Sequence, residues 1–208
     1  MNLRPGTDLA PVHVWLAPAH RDQRRVAHEL LLDLAESLLG ARPVLHHDDL
    51  GRPLLPPLWV SVSHTPDLVA VAAGQQGPVG VDVENQHARE VATMARRWFD
   101  PAELAWMADQ PDGLQAFLHL WTAKEAVGKA LGKGLRNSGL RRLMPLTGGL
   151  VASEPALTVQ WPALRTGGVL AVAVPAGTPS LEIVEHHGAA LRRTVVSRTS
   201  FPVVVRGN

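Results

Sequence analysis

Apolar and polar positions follow two different periods along the chain, and the places where the period changes mark its elements. Residues 12–17, VHVWLA, alternate with a period of two and read as a half-buried strand. Residues 21–40 switch to helical spacing and end on Gly40, a residue type suited to closing a helix. The segment ARPVLHHDDLGRPLLPP, punctuated by prolines, reads as a loop. Three short β-rich runs follow at 59–64, 68–73 and 79–84, and turn residues in TPD and GQQGP predict that they form an antiparallel meander. A helix is expected through REVATMARRWF. Asp100-Pro101-Ala102-Glu103 then looks like a fresh helix start, with an N-cap, a proline at the first position and a glutamate at the third. A further helix is predicted over residues 113–132, and strands return at 156–161, 168–175 and 181–186. The tail LRRTVVSRTSFPVVVRGN fits either one more strand or an irregular end.

The element order predicts an α+β protein of two halves with similar make-up, lying head to tail. A length of 208 residues, 46% of them apolar, suits one large domain or two small ones folded together. A net charge of +1 offers no chain-wide basic field for nucleic acid. The absence of cysteine excludes disulfides, thiolate metal sites and a cysteine nucleophile. The N-terminus lacks the apolar stretch of a secretion signal, and no apolar run is long enough to cross a bilayer. A soluble cytoplasmic protein is therefore expected, with no membrane or nucleic-acid partner.

The chain uses arginine seventeen times but lysine only three times, and Lys124, Lys129 and Lys133 all fall within LWTAKEAVGKALGKGLR. On a helix, Glu125 and Lys129 lie one turn apart, continuing a stripe begun by Leu114, Phe117, Leu118 and Trp121. A solvated pair at that spacing is worth only ~0.3–0.5 kcal/mol. It explains neither the extension of an apolar stripe nor the confinement of lysine. The chemical reading is that a compact, flexible ammonium point charge is wanted, for instance on a phosphate, and lysine, unlike arginine, can also give up a proton. The second constellation is Gly80-Val81-Asp82-Val83-Glu84. Strand alternation puts both carboxylates on one face, with Cα atoms ~6.6 Å apart. Like charges that close repel unless a cation lies between them, and oxygen-only donors point to Mg²⁺. A plain exposed strand face is the alternative reading of Asp-x-Glu alone.

GVDVE followed by WTAKEAVGKALGKGL resembles the paired signature of the 4′-phosphopantetheinyl transferases. Gly51-Arg52-Pro53, Val62-Ser63-His64-Thr65 and the aromatic run ending at Glu103 resemble three further elements of that family, in order over residues 51 to 135. About eighty residues precede GVDVE, which is similar to the larger Sfp-like, pseudo-dimeric type rather than the short trimeric synthases. The resemblance implies two halves, 1–90 and 91–208, each a helix on an antiparallel three-stranded sheet, with the active site between them.

It also implies an activity: Mg²⁺-dependent transfer of the phosphopantetheine arm of coenzyme A to a serine of an apo acyl or peptidyl carrier protein, releasing 3′,5′-ADP. By that analogy Asp82, Glu84 and Glu125 hold Mg²⁺, with Mn²⁺ as a possible substitute. Glu125, directly or through a metal-bound water, or Glu103 takes the serine proton, and Lys129 neutralises the charge growing on phosphate. Arg52, Ser63, His64 and Lys124 contact the phosphates of coenzyme A. Glu29 stands where the family pattern carries a cation for the nucleotide, and Arg21, Arg24 or Arg25 is expected to supply the missing charge. Glu103 equally reads as half of a capping box. A monomer is expected, because the two halves supply internally what a dimer interface supplies in the short type. The resemblance leaves the carrier open among those of fatty-acid synthesis and the polyketide and nonribosomal peptide carriers of secondary metabolism. Two other readings stay open: a coenzyme A or carrier-binding module without catalysis, and a different Mg²⁺-dependent enzyme that cleaves a pyrophosphate. The pairs His46-His47 and His186-His187 lack ligand spacing and read as surface. Trp98 and Phe99 read as core.

Overall fold

The computed structural model describes residues 10–135, 139–188 and 194–203. The reading of the first nine residues as free of a signal lies outside them. The elements run β1 (Val12–Pro18), α1 (Gln23–Leu39), β2 (His46–His47), β3 (Pro53–Leu54), β4 (Trp59–His64), β5 (Leu68–Gly74) and β6 (Gly80–Glu84). They continue with α2 (Ala92–Trp98), α3 (Pro101–Ala108), α4 (Gly113–Ala130), β7 (Gly149–Val151), β8 (Glu154–Gln160), β9 (Val169–Pro175), β10 (Ser180–His187) and β11 (Thr194–Pro202). The helix signals hold closely. Gly40 closes α1 in the left-handed conformation at φ 76°, its N–H donating to Glu36 O. Asp100 and Glu103 form the capping box of α3.

Two sheets lie face to face with one helix on each outer surface. The first has the strand order β11-β10-β1-β5-β4 and the second β6-β9-β8-β7. Val14, Leu16, Ala70 and Ala72 of the first sheet meet Val81, Val83, Leu170 and Val172 of the second in one apolar layer. On the far side of the first sheet, α1 buries Val26, Leu30, Leu31 and Leu34 against Val69 and Val71. On the far side of the second, α4 buries Phe117, Leu120 and Val127 against Ala171 and Ala173. Burying each such side chain stabilises the fold by ~1.5–3 kcal/mol relative to leaving it exposed. No helix among the described residues is long and apolar enough to cross a membrane.

The α+β class is as expected, but the strand partners differ from the sequence reading. Strands β4 and β5 pair antiparallel as a hairpin, yet β6 leaves the expected meander and pairs with β9 in the second sheet. Strand β10 crosses back and pairs parallel with β1, and β11 adds to its outer edge. The sheets therefore do not divide at residue 90, and the first is not purely antiparallel. The reason is that β6 is apolar inward and acidic outward. Its valines join the middle layer, which leaves Gly80, Asp82 and Glu84 facing α4.

Strands β4 and β6 are edge strands of different sheets, and side chains join them. Ser61 Oγ accepts from Val81 N at 3.0 Å and Ser63 Oγ accepts from Val83 N at 3.3 Å. Gly80 lets β6 approach α4 closely: a Cβ there would lie 1.8 Å from the Ala126 carbonyl oxygen. Because the clash is backbone on backbone, Gly80→Ala should cost about 1–3 kcal/mol. The melting temperature should then fall by about 2–12 °C. Thermal unfolding followed by circular dichroism measures it, and a variant melting with the parent would contradict that close approach.

Candidate active site

The groove between the β4 edge and α4 collects the chemistry-bearing groups. The end of α4 supplies Lys129, whose Nζ donates to Asp82 Oδ1 at 2.7 Å and to Val81 O at 3.0 Å. Strand alternation turns Ser63 inward and leaves His64 exposed. Ser63 Oγ donates to Asp82 Oδ1 at 2.7 Å. Two donors thus converge on one oxygen of Asp82, while the other, Oδ2, is buried without a hydrogen-bond partner. Glu84, at the mouth of β6, accepts from Arg89 at 2.9 Å.

Electrostatics couple the three acids. Burial pushes the Asp82 carboxyl above its ordinary pKa, Lys129 opposes this, and Glu84 adds to it. Burial also raises Glu125, with Asp82 and Glu84 adding repulsion and Lys129 opposing. The three carboxylates feel one another, yet among the described residues no group of three histidine, aspartate or glutamate side chains is drawn together tightly enough to hold a metal.

A carboxyl whose folded pKa is raised favours the protonated native state. Its contribution to stability is present below the unfolded pKa and is lost as pH rises through the folded one. At neutral pH Glu125 therefore destabilises the fold. Glu125→Gln should raise the melting temperature near pH 7 by about 2–4 °C, the shift that ~1 kcal/mol produces in a chain of this size. The gain should vanish near pH 4. Scans at both pH values check it, and an equal shift at the two would remove the charge explanation.

The other expected site residues fall into three groups. Arg52 belongs with Lys129. Both line a cavity of about 490 Å³ together with Val60, Val62 and Lys133. The Arg52 guanidinium lies over Gly132, where a Cβ would come within 2.1 Å of Nη1, and Asp48 holds Nε at 3.0 Å. Arg25 stands apart. It pairs with Asp22 at 2.6 Å and lines a different groove with Arg21, His87 and His187. Glu29 is engaged by Arg42 at 2.6 Å.

Lys124 and Glu103 form the third group, and the structure corrects their expected contact with substrate. Both side chains are 0% exposed, and Lys124 Nζ donates to both Glu103 oxygens at 2.8 Å. Lys124 lies on the face of α4 that α3 and the 142–144 segment cover, so it cannot follow its neighbour Glu125 into the groove. Ser63 likewise holds Asp82 rather than facing outward. His186, read as surface, is buried, with Nδ1 at 3.0 Å from Leu16 O. Adjacent strand residues face opposite ways, so one of that pair had to point in. Sequence reading missed Ser61 and Arg89. The alternating serines of WVSVSH, polar on the inward face of an apolar strand, were the available signal for the first.

The family model of the 4′-phosphopantetheinyl transferase superfamily matches residues 78–147. That span runs from the start of β6 past the end of α4 and holds Asp82, Glu84, Glu125 and Lys129. Over that span the chain is similar to the 4′-phosphopantetheinyl transferase superfamily. Among transferases of this name, it is 34% identical to AcpT of Salmonella typhi over 123 residues, covering 56% of this chain and 64% of the relative. It is 31% identical to psf-1 of Bacillus pumilus over 144 residues, covering 58% and 61%. It is 26% identical to HetI of Nostoc sp. over 161 residues, covering 72% and 66%. The matches thus span between about a third and two thirds of the curated relatives' own length. The superfamily segment includes the buried Lys124–Glu103 pair as well as the groove residues. Arg25, Arg52, Ser63 and His64 lie before it.

Proposed function

We propose that this chain transfers the 4′-phosphopantetheine arm of coenzyme A to a serine of an apo acyl or peptidyl carrier protein, in an Sfp-like arrangement with the groove between two helix-on-sheet layers. The observation that carries the reading is the orphaned Oδ2 of buried Asp82. It stands beside Glu84 and Glu125 and opposite a lysine fixed on the same residue. A buried, unpartnered carboxylate oxygen is costly to maintain, and a cation of oxygen-only coordination satisfies it. Asp82, Glu84 and Glu125 would have to draw closer together to share one ion, and their oxygen-only chemistry suits Mg²⁺, with Mn²⁺ as a substitute. When bound, the ion would neutralise charge on the pyrophosphate.

The chain's own groups account for the rest. The carrier serine Oγ attacks the phosphorus that bears the pantetheine arm, the bond from that phosphorus to the bridging oxygen breaks, and 3′,5′-ADP leaves. Glu125, its proton affinity raised by burial and by Asp82 and Glu84, accepts the serine proton. Lys129 places a point charge against the developing negative charge. Arg52, Lys133 and exposed His64 offer further contacts for phosphate oxygens along the groove. The reading includes a monomer working in the cytoplasm.

Incubation with coenzyme A and apo carriers from fatty-acid, polyketide and peptide synthesis, followed by intact-mass spectrometry, tests it. Modified carrier, 3′,5′-ADP in equal amount, and loss of both in EDTA are expected. Cleaved coenzyme A with unmodified carrier would instead favour a pyrophosphate hydrolase. Binding without either product would favour a non-catalytic module.

A further inference from the structure

The Lys124–Glu103 pair is the most deeply buried ionic group in the described residues, and the reaction sketched above does not use it. Its bonds reach three segments. Besides holding Lys124, Glu103 Oε1 accepts from Met144 N and Oε2 from Asp100 N, each at 3.0 Å. Lys124 Nζ also donates to Arg142 O, and it lies 4.9 Å from the centre of the Phe99 ring. The cap of α3, the segment after the Gly132–Gly134 turn and the middle of α4 therefore meet at one ion pair. Burial lowers the lysine's pKa, and Glu103 opposes that.

Glu125 follows Lys124 directly, and Lys129 lies about 140° around the helix from it. A group ~6 Å from the helix axis moves about 2 Å when the helix turns by about 20°. The other directional bonds of α4 to its surroundings lie nearer its two ends: His119 Nε2 lies 3.1 Å from Leu146 O, Trp161 Nε1 donates to His119 O at 2.9 Å, and Lys129 itself bonds Val81 O and Asp82. Gly80 presents bare backbone to Ala126, and the Phe117–Val127 face is apolar. A lysine gripped by two carboxylate oxygens and a carbonyl resists it in every direction.

We infer that Lys124 and Glu103 are positioning residues: their buried pair fixes the rotation of α4 so that Glu125 and Lys129 face Asp82 across the groove. The pair never touches substrate. This rests on the proposed transfer activity, and the test separates the two.

The double variant Glu103→Gln/Lys124→Met removes both charges while leaving an amide that can accept from Met144 N and donate to Arg142 O. It should fold, by circular dichroism. Its kcat should fall about 10- to 100-fold, the range that a misplacement of ~1 Å produces. Its KM for coenzyme A should stay within about threefold of the parent, because groove residues outside α4 are untouched. A crystal structure gives a readout independent of activity: Lys129 Nζ should withdraw from Asp82 Oδ1 by ~1 Å or more. If the double variant does not fold, Glu103→Asp serves instead. It keeps both charges but draws the carboxylate back by one methylene, and the same split between kcat and KM is expected, with a smaller loss. A folded variant with parental kcat, or one in which Lys129 has not moved, overturns the inference. A parent that modifies no carrier defeats the proposed function instead, and the Lys129 displacement still decides the positioning role.

Discussion

Asp82→Asn should remove about 10²–10³-fold of the transfer rate, the scale of losing one preorganised electrostatic contact to a charged transition state. It should do so without unfolding the protein. Asparagine keeps the shape of the side chain. Its Oδ1 can still accept from Ser63 and Lys129, both of which bond the same oxygen in the parent. Its amide nitrogen then occupies the place of the orphaned Oδ2, so the variant loses only the charge and one free acceptor. Burial disfavours the ionised carboxylate at neutral pH, so the variant should melt at or above the parental temperature there. Activity measured with saturating Mg²⁺, beside a thermal scan, distinguishes this from misfolding. Retention of a tenth or more of the parental rate would mean that Asp82 is a structural acid and that the reactive centre lies elsewhere in the groove.

Lys129→Arg should be nearly as damaging, although it keeps the charge. The ammonium converges on Val81 O and Asp82 Oδ1 at once, from a side chain that is 27% exposed. A planar guanidinium is wider, prefers a bidentate partner and cannot collapse onto the same point. A displacement of ~1 Å in a reacting group can cost ~100-fold. A loss of that order in kcat is expected for both Lys129→Arg and Lys129→Ala, the first melting near the parent and the second below it, because alanine leaves buried Asp82 without its cation. Lys133→Arg, beyond the helix in the glycine turn, should lose far less. If Lys129→Arg keeps most of its turnover, charge alone suffices at this position, and the use of lysine there has no chemical explanation.

Much of the centre was legible because its determinants are local. Helical spacing alone put Glu125 and Lys129 on one face of α4. Strand alternation alone put Asp82 and Glu84 on one face of β6. What stayed hidden depends on which layer covers which face. Nothing near WVSVSH says that its serines meet the edge of β6 while His64 stays out. Nothing near Lys124 says that α3 and residues 142–144 close over it, which is why a lysine beside Glu125 read as a phosphate contact. The strand partners failed for the same reason. The GQQGP turn was compatible with continued pairing, but the middle apolar layer needed the valines of β6 in the other sheet.

The parallel pairing of β1 with β10 has a consequence for how the chain is made. Val14 aligns with Ile183, and the strands between them belong to both sheets. During synthesis at ~5–20 residues per second, β1 waits roughly 8–35 s before its neighbour exists. Through that interval one edge of the first sheet stands open, with β1 exposed for pairing by other chains. Contacts that distant in sequence also slow folding itself. The groove faces the opposite edge, β4, but β6, which carries its acids, also waits for a late partner, β9. The molecule reaches its full stability only when its last strands arrive. Deleting β11 should therefore weaken an element that touches no part of the reactive centre, and crowded expression is the condition under which such a chain would first aggregate.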